Sequence, residues 1–232
     1  MHTRLHQETV RELEPWFHNI HLPDGTQTAP AHFLGDFPAY KWAEIREIFD
    51  RDVHGSSILD IGCNAGFYSI KLALRGARVT AVDSNPHYLK QARWASGIFG
   101  VKERIEFHQM QIYDLAGWDK QFDTVLFLGV FYHLRYPLLG LDIVSRLTGK
   151  RLVFQVVAAA GHVHPPAEER GAKGDGLLLR IELLDLHRIG HAHHRQAPFA
   201  PGVGAFVGVG VSREVFGVHA GAELLAIDLD GV

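Results

Sequence analysis

The segment that most restricts the possible folds of this chain is a short apolar run that leads into a glycine turn. Residues 57–61 read Ser-Ile-Leu-Asp-Ile, a pattern typical of a buried parallel strand, and Gly62 follows directly. Gly66 precedes a helical pattern, and a second apolar strand ends at Asp83, about twenty residues after Asp60. This order predicts a doubly wound, mostly parallel α/β sheet with a ligand at the carboxyl ends of its strands.

The spacing within the turn indicates which ligand it holds. A dinucleotide pyrophosphate is bound by a run of three closely spaced glycines, whereas this turn has only Gly62 and Gly66. S-Adenosylmethionine has no phosphate, so the pattern favours it over a nicotinamide cofactor, which is the main alternative. Asp60 could then face the cationic end of the cofactor, and the two oxygens of Asp83 could accept both ribose hydroxyls. The residues expected to contact the cofactor here are Asp60, Gly62, Cys63, Asn64, Gly66, Phe67, Asp83 and Ser84.

Apolar periodicity predicts the rest of the sheet. Strands are expected at 57–62, 77–82, 104–108, 122–128 and 151–156, and helices at 38–50, 66–75, 86–99 and 137–147. Asn85 is the expected N-cap of the helix at 86–99. The predicted regions are an N-terminal cap segment and helix at 1–50, a cofactor-binding core at 51–156 and a tail at 157–232.

Polar side chains follow the strand at 122–128, at the edge where open parallel sheets bind their ligands. His133 is the candidate catalytic base, and Tyr132 is a candidate catalytic residue that positions the sulfonium or the acceptor. Arg135 is a candidate substrate contact. Packed or solvated side chains are the alternative interpretation of these positions.

Composition limits the remaining classes of protein. The 232 residues carry a net charge of -3 with a pI near 6.6, so the chain lacks the overall basic character of a nucleic-acid-binding protein. Its one cysteine, Cys63, excludes an internal disulfide framework. Residues 1–10 have no signal-peptide core, and no apolar run is long enough to span a bilayer. A cytoplasmic protein without a membrane partner is therefore expected, and its oligomeric state is open.

Several longer stretches are similar to one known family. They are Trp16-Phe17-His18-Asn19-Ile20 with Leu22-Pro23-Asp24-Gly25, Lys41-Trp42, the run from Leu59 to Tyr68, and the run from Gly129 to Pro137. Over about residues 15–155 the chain resembles the class I S-adenosylmethionine-dependent methyltransferases related to the tRNA wobble-uridine carboxymethyltransferase. The resemblance implies a Rossmann-like fold and a bound sulfonium cofactor. It places Gly62 and Asp83 at the cofactor, Ile112 and Tyr113 near the adenine, and Leu128 and Tyr132 around the sulfonium.

The resemblance also makes Lys41 a candidate substrate contact, because it matches a lysine that holds the extra carboxylate of carboxy-S-adenosylmethionine in that family. Two features depart from the family pattern: residues 16–28 contain no second lysine, and Asp36 stands in place of a tryptophan. One cation instead of two weakens carboxylate binding. The sequence therefore favours plain S-adenosylmethionine and methyl transfer to an O or N atom of a small-molecule or glycan acceptor.

Two alternative functions stay open. Carboxymethyl transfer to a tRNA wobble uridine needs a basic surface, for which the candidates are Lys41, Lys71, Arg75, Arg78, Lys90 and Arg93. The other alternative is a degenerate fold that binds the cofactor without catalysing a reaction.

The tail differs in composition from the rest of the chain. Residues 157–232 contain no Trp, Tyr, Asn, Met, Cys or Thr and are rich in Ala, Gly, Val and His. We hypothesise that they derive from a shifted reading frame, which would leave the tail poorly ordered and the sheet incomplete at its C-terminal end. Residues 202–211 alternate like a weak strand. The histidines at 187, 191, 193 and 194 lack the glutamate of a zinc hydrolase motif, so no metal is expected.

Overall fold

The structure is a computed structural model that describes residues 2–49, 53–156 and 223–228. Its helices are α1 (His2–Glu12), α2 (Phe37–Ile45), α3 (Phe67–Leu74), α4 (Pro86–Ile98) and α5 (Pro137–Leu147). Its strands are β1 (Ser57–Ile61), β2 (Arg78–Asp83), β3 (Ile105–Gln109), β4 (Phe122–Leu128), β5 (Thr148–Val156) and β6 (Glu223–Asp228). Short 3₁₀ helices cover Arg46–Phe49, Lys102–Arg104, Ile112–Gly117 and Phe131–His133. One compact unit comprises Met1–Val156 with Leu224–Val232, and a second, Val157–Glu223, lies outside the described residues except for Glu223.

The six strands form one sheet in the order β3-β2-β1-β4-β5-β6. Neighbouring strands from β3 to β5 are parallel, which confirms the doubly wound arrangement predicted from the sequence. The strand order reverses between β1 and β4, and such a reversal is where open α/β sheets bind ligands. The register brings the strand ends together, because Ile61 pairs with both Val82 and Phe127, and Leu128 pairs with Gln155.

Burial on both faces explains the continuous apolar runs of the central strands. Ile58 and Leu59 in β1, and Leu126 and Phe127 in β4, are fully buried. Helix α3 packs against β2 and α4 against β3, whereas α5 packs against β4 and β5. Right-handed crossovers in opposite directions place α3 and α4 on one face of the sheet and α5 on the other. A parallel sheet covered in this way has no solvent-facing side, so polar and apolar residues do not alternate along its strands.

The N-terminal segment contains a helix that the sequence analysis did not predict. Polar and charged side chains fill most positions of α1, so the sequence offered few apolar residues by which to recognise the helix. Tertiary contacts hold this segment instead: Val10 and Leu13 are buried, and the indole Nε1 of Trp16 donates to Val10 O at 2.8 Å. The Gln91 amide of α4 donates to Leu13 O at 2.6 Å. The predicted cap segment therefore packs against α4.

Two element boundaries differ from the sequence-based expectation. The helix expected at 38–50 is α-helical only to Ile45 and continues as a 3₁₀ helix, and β5 begins at Thr148 instead of 151. α5 ends at Leu147 and β5 begins at the next residue, Thr148, whose Oγ1 donates to Val144 O at 2.8 Å. The other core elements agree with the prediction to within one residue at each end. Asn85 caps α4 as expected, with its Oδ1 accepting from the backbone N–H of His87 at 2.9 Å.

The tail contributes a strand that the sequence analysis did not predict. β6 lies beside β5, so the sheet extends beyond β5, where the sequence analysis expected it to end. Residues 202–211 and the histidines at 187, 191, 193 and 194 lie outside the described residues, and the reading-frame hypothesis stays a prediction. Of the helices in the described ranges, none combines the length and the apolar character that crossing a membrane requires.

Candidate cofactor and acceptor site

The turn after β1 lies at the reversal of strand order. The backbone N–H groups of Gly62 and Cys63 both donate to Val82 O, at 2.8 and 3.0 Å, which holds the turn against the end of β2. Gly62 has a φ of 74°, and a Cβ there would overlap Cγ2 of Val130, just after β4. Only glycine allows the turn to lie this close to the segment after β4.

Replacing Gly62 by alanine is expected to destabilise the protein by about 3 kcal/mol, because a left-handed φ is costly for an L residue and the new methyl group would overlap Val130. Gly25 provides a matched control, since its φ is 86° but an added Cβ would meet nothing within 4 Å. Gly25→Ala should therefore show the backbone cost alone. Urea denaturation of both variants measures the difference, and equal losses would show that Val130 does not restrict the turn.

Asp83 ends β2, and one of its carboxylate oxygens faces the turn while the other faces the start of α4. Its Oδ2 accepts from the N–H of Asn64 at 2.9 Å, and its Oδ1 accepts from the N–H of Asn85 at 2.8 Å. Burial raises the pKa of Asp83, while backbone hydrogen bonds from Asn85, Asn64 and Ser84 act in the opposite direction. Each carboxylate oxygen can accept a second hydrogen bond, so the group retains the capacity to bind a vicinal diol.

Asp60 is a buried carboxyl group at the end of β1. It is 2% exposed, and its Oδ2 accepts from Ser69 Oγ at 2.5 Å. Burial raises the pKa of Asp60 from 3.8 to about 6, the Ser69 hydrogen bond opposes this, and the charge of Asp83 adds to it. Within the described ranges, no cationic side chain forms an ion pair with Asp60. A cationic ligand group beside Asp60 would stabilise its ionised form, and the ammonium group of S-adenosylmethionine fits that requirement.

The loop after β4 carries the predicted catalytic residues. Gly129 has a φ of 72°, and the Tyr132 hydroxyl lies 3.2 Å from the position that a Cβ would take there. Tyr132 therefore folds back over the end of β4, and partial burial raises its pKa. His133 is exposed, with its ring centroid 4.4 Å from that of Tyr132. Arg135 is also exposed, and its guanidinium lies over the Tyr136 ring at 5.5 Å.

The remaining predicted cofactor contacts also follow the carboxyl ends of strands. Ile112 is buried at the start of the 3₁₀ helix that comes after β3. The hydroxyl of Tyr113, the next residue, accepts from the backbone N–H of Tyr136 at 2.9 Å, which links this helix to the start of α5. Of the other residues, Cys63, Phe67 and Leu128 are buried and Ser84 is exposed.

Lys41 of α2 reaches the strand ends from the N-terminal segment. Its ammonium group donates to Gln155 Oε1 in β5, and Gln155 pairs with Leu128 at the end of β4. Burial lowers the pKa of Lys41 from 10.5 to about 8, and the charge of Glu44 partly offsets this. Sequence reasoning identified Lys41 but missed Gln155, because a lone glutamine in a strand belongs to no motif.

Two more polar residues of this region were missed. His18 and Tyr68 are buried, and their ring centroids lie 5.8 Å apart. Both belong to stretches that carry the family resemblance, yet they are fifty positions apart in the sequence, so only the tertiary fold shows their proximity.

Two cavities lie mostly at other residues, and Phe67 is the predicted cofactor contact that lines the second. One of about 340 Å³ is lined by His108, Met110, Gly117, Trp118, Asp119 and Lys120. The other, of about 290 Å³, is lined by Ile20, His21, Asp36, Ala39, Phe67, Ile70, Lys71 and Phe99. Neither includes the turn glycines or Asp83, so the backbone of the turn, rather than either cavity, defines the candidate cofactor site. In the described part of the chain, no group of three or more His, Cys, Asp or Glu side chains is arranged to hold a metal ion.

Comparison with known sequences agrees with this geometry. Residues 58–147 match the family model described as a methyltransferase domain. The chain is 30% identical over 163 residues to the tRNA U34 carboxymethyltransferase of Idiomarina loihiensis, a match that covers 66% of this chain and 47% of that protein. It is 29% identical over 124 residues to the Cellvibrio japonicus protein of the same name, covering 53% and 35% respectively. The chain thus spans less than half the length of these curated relatives.

Solved structures share the fold. The N-terminal domain of EvdMO1, crystallised in the presence of SAH and D-fucose, matches with a TM-score of 0.55 at 23% identity, covering 72% of this chain and 70% of that chain. Magnesium protoporphyrin IX methyltransferase from Synechocystis PCC 6803, with bound SAH, matches with a TM-score of 0.50 at 18% identity, covering 81% and 80%. The chain has the Rossmann-like fold of these solved structures, and residues 58–147 match the methyltransferase class. Within that class it resembles the tRNA U34 carboxymethyltransferases, at modest identity.

Proposed function

We propose that the protein binds S-adenosylmethionine at the turn after β1 and transfers its methyl group to an O or N atom of a small-molecule or glycan acceptor. The observation that carries this proposal is a pair of carboxyl groups at adjacent strand ends, of which Asp60 is buried and Asp83 half-buried. Asp60 has no ion-pair partner in the described ranges, and Asp83 retains capacity for further hydrogen bonds. A ligand that offers a cation to the first and a diol to the second satisfies both groups.

The proposed reaction depends mainly on alignment. The cofactor supplies an electrophilic methyl group on its sulfonium, and the protein has to hold the acceptor in line with it. Tyr132 is proposed to position the reacting groups, because its hydroxyl lies over the end of β4. His133 is proposed to accept a proton from the acceptor, and its exposed imidazole is open to an incoming nucleophile. Arg135 is proposed to contact the acceptor.

Carboxymethyl transfer to a tRNA wobble uridine is the second candidate, and the position of Lys41 favours it. Its ammonium group reaches the strand ends, where it could donate a hydrogen bond to an extra carboxylate on the cofactor. The candidate basic surface gives less support, because its cations are divided among α2, α3, β2 and α4. Arg75 lies over Trp42 at 4.9 Å and Arg93 over Phe107 at 5.1 Å, so both already make local contacts.

Isothermal titration calorimetry of the full chain with S-adenosylmethionine, its carboxylated analogue and S-adenosylhomocysteine (SAH) tests the proposal. We expect the plain cofactor and SAH to bind with similar affinity, and the carboxylated form to bind no more tightly. A clear preference for the carboxylated form would support the wobble-uridine candidate. If a folded protein binds none of the three, the proposed function is wrong, and binding without turnover on any acceptor would favour a degenerate, non-catalytic fold.

A further inference from the structure

Ser69 is a buried residue of α3 that faces the carboxyl group of Asp60. It is the third residue of the helix and is fully buried, and its Oγ donates to Asp60 Oδ2 at 2.5 Å. Its backbone N–H, which belongs to the first turn and so has no partner within the helix, also lowers the pKa of Asp60. One serine therefore joins the strand before the cofactor turn to the helix after it.

The other ionisable groups around Asp60 oppose its ionisation or carry no charge. Asp83, at the end of the neighbouring strand β2, raises the pKa of Asp60 through its negative charge. Burial raises the pKa of the Cys63 thiol and of the Tyr68 hydroxyl, and the Asp60 charge adds to both shifts, so both groups stay neutral at physiological pH. Among the described residues, Ser69 is the one side chain that donates a hydrogen bond to the Asp60 carboxylate.

This hydrogen bond counteracts the effect of burial on Asp60. Removal from water favours the neutral acid, and a neutral acid does not attract the ammonium group of a ligand. A hydroxyl group that donates to the carboxylate stabilises the ionised form instead. A carboxylate has about four acceptor positions, so Asp60 can hold a ligand while it accepts from Ser69.

We propose that Ser69 is a positioning residue of the cofactor site: the hydrogen bond from its hydroxyl keeps Asp60 ionised and fixed in orientation, so that Asp60 can hold the ammonium group of S-adenosylmethionine. This inference rests on the proposed function and adds to it the residue that sets the lower limit of the pH range in which the cofactor binds. Without the hydroxyl, only the backbone N–H opposes burial and the charge of Asp83, so the pKa of Asp60 rises towards neutral pH.

Carbon-13 NMR of the ligand-free full chain, labelled at the aspartate carboxyl carbons, measures the pKa of Asp60 directly. The Asp60 signal is assigned by its loss in Asp60→Asn. We expect a pKa of about 6 in the unsubstituted protein and a pKa higher by at least about one in Ser69→Ala, which corresponds to a tenfold destabilisation of the charged form. An unchanged pKa in the variant would overturn the inference.

Calorimetry with S-adenosylmethionine connects this pKa to cofactor binding. We expect Ser69→Ala to bind about tenfold more weakly than the unsubstituted protein at pH 6, where Asp60 of the variant is mostly protonated, and nearly as tightly at pH 8.5, where Asp60 is ionised in both proteins. Comparing the two proteins at the same pH removes the titration of the ligand itself. A loss of affinity that is equal at both pH values would reflect general damage to the structure and would contradict the proposed role.

Two further variants separate hydrogen bonding from packing. Ser69→Cys fills the space of the serine with a weak donor, so it should shift the pKa of Asp60 and the affinity as Ser69→Ala does. Full recovery with cysteine would show that packing alone matters, and the inference would be wrong.

Ser96→Ala is the matched control. Ser96 is also fully buried, but its Oγ donates to Arg93 O at 2.9 Å, an acceptor that does not ionise. The substitution should change neither the pKa of Asp60 nor the affinity. If the unsubstituted protein binds no S-adenosylmethionine, the proposed function fails, whereas the NMR titration still decides whether Ser69 keeps Asp60 ionised.

Discussion

Replacing Asp83 by asparagine is expected to weaken SAH binding by at least about a hundredfold, because two charge-assisted hydrogen bonds to a ribose diol are each worth about 1.5–3 kcal/mol. The substitution also turns one acceptor oxygen into a donor. That donor would face the backbone N–H of either Asn64 or Asn85, both of which now donate to Asp83. A melting temperature lowered by several degrees should accompany the loss of binding. Calorimetry with SAH, at a temperature where the variant is folded, measures the effect.

Asp123→Asn is the matched control for this prediction. Asp123 lies in β4 near the start of that strand, away from the carboxyl ends, and its Oδ2 accepts from the Ser57 N–H at 2.7 Å and from Ser57 Oγ at 2.8 Å. The variant loses a comparable strand-linking contact without touching the candidate cofactor site. SAH should therefore bind it as tightly as the unsubstituted protein. If both variants bind SAH equally weakly, the effect at Asp83 comes from a general loss of structure and not from lost hydrogen bonds to the ribose.

Replacing Asp60 by asparagine is expected to have opposite effects on stability and on cofactor binding. The folded-state pKa of about 6 lies above the ordinary value of 3.8, so the folded protein holds this proton more tightly than the unfolded chain does. The difference corresponds to about 3 kcal/mol of destabilisation at pH 7, and burial of Asp60 leaves little solvent screening. Asparagine cannot ionise, so it removes this cost while still accepting from Ser69.

The sign of the pH dependence follows from the same pKa. Below about pH 4 the carboxyl is protonated in both states and destabilises nothing. As the pH rises through about 6, the unfolded chain has already ionised, and the ligand-free protein loses this part of its stability. Binding of a cationic cofactor favours the ionised form, so S-adenosylmethionine affinity should fall as the pH is lowered below about 6.

Urea denaturation of the ligand-free protein and of Asp60→Asn between pH 4 and pH 8 measures the first effect, and calorimetry over the same range measures the second. The stability advantage of the variant should grow from pH 4 to pH 6 and then stay level, while its cofactor affinity stays low throughout. Asp123→Asn should show no such gain, because backbone and side-chain hydrogen bonds from Ser57 lower the pKa of Asp123 to about 2. A variant that is less stable at pH 7 and binds S-adenosylmethionine normally would contradict both parts.

The glycine turn shows how much of the cofactor site local sequence can determine. Gly62 needs a left-handed φ, and Asp83 ends an apolar strand, so both requirements are written into neighbouring residues. The order of strands and helices from β1 to β5 follows in the same way, because burial on both faces requires continuous apolar runs. The resemblance added Lys41 to Tyr132, which the strand pattern had already indicated, and both lie at the carboxyl ends of the strands.

Other elements escaped prediction because distant residues hold them. α1 has few apolar residues of its own, and the contact of Gln91 with Leu13 helps to hold this segment in place. β6 comes from a segment whose composition indicated no strand. Its place beside β5 depends on strand pairing within the sheet.

By itself, the sequence determined the alternation of strands and helices, the glycine turn and the two carboxyl groups at the strand ends, because each depends on neighbouring residues along the chain. Only the tertiary structure decided that Lys41 lies against Gln155, that His18 and Tyr68 are buried together without partners, and that Asp60 is buried deeply enough for its pKa to rise. Burial and charge at these positions are set by segments that are far apart in sequence. No local spacing encodes them, since they exist only once the sheet has brought its strand ends together.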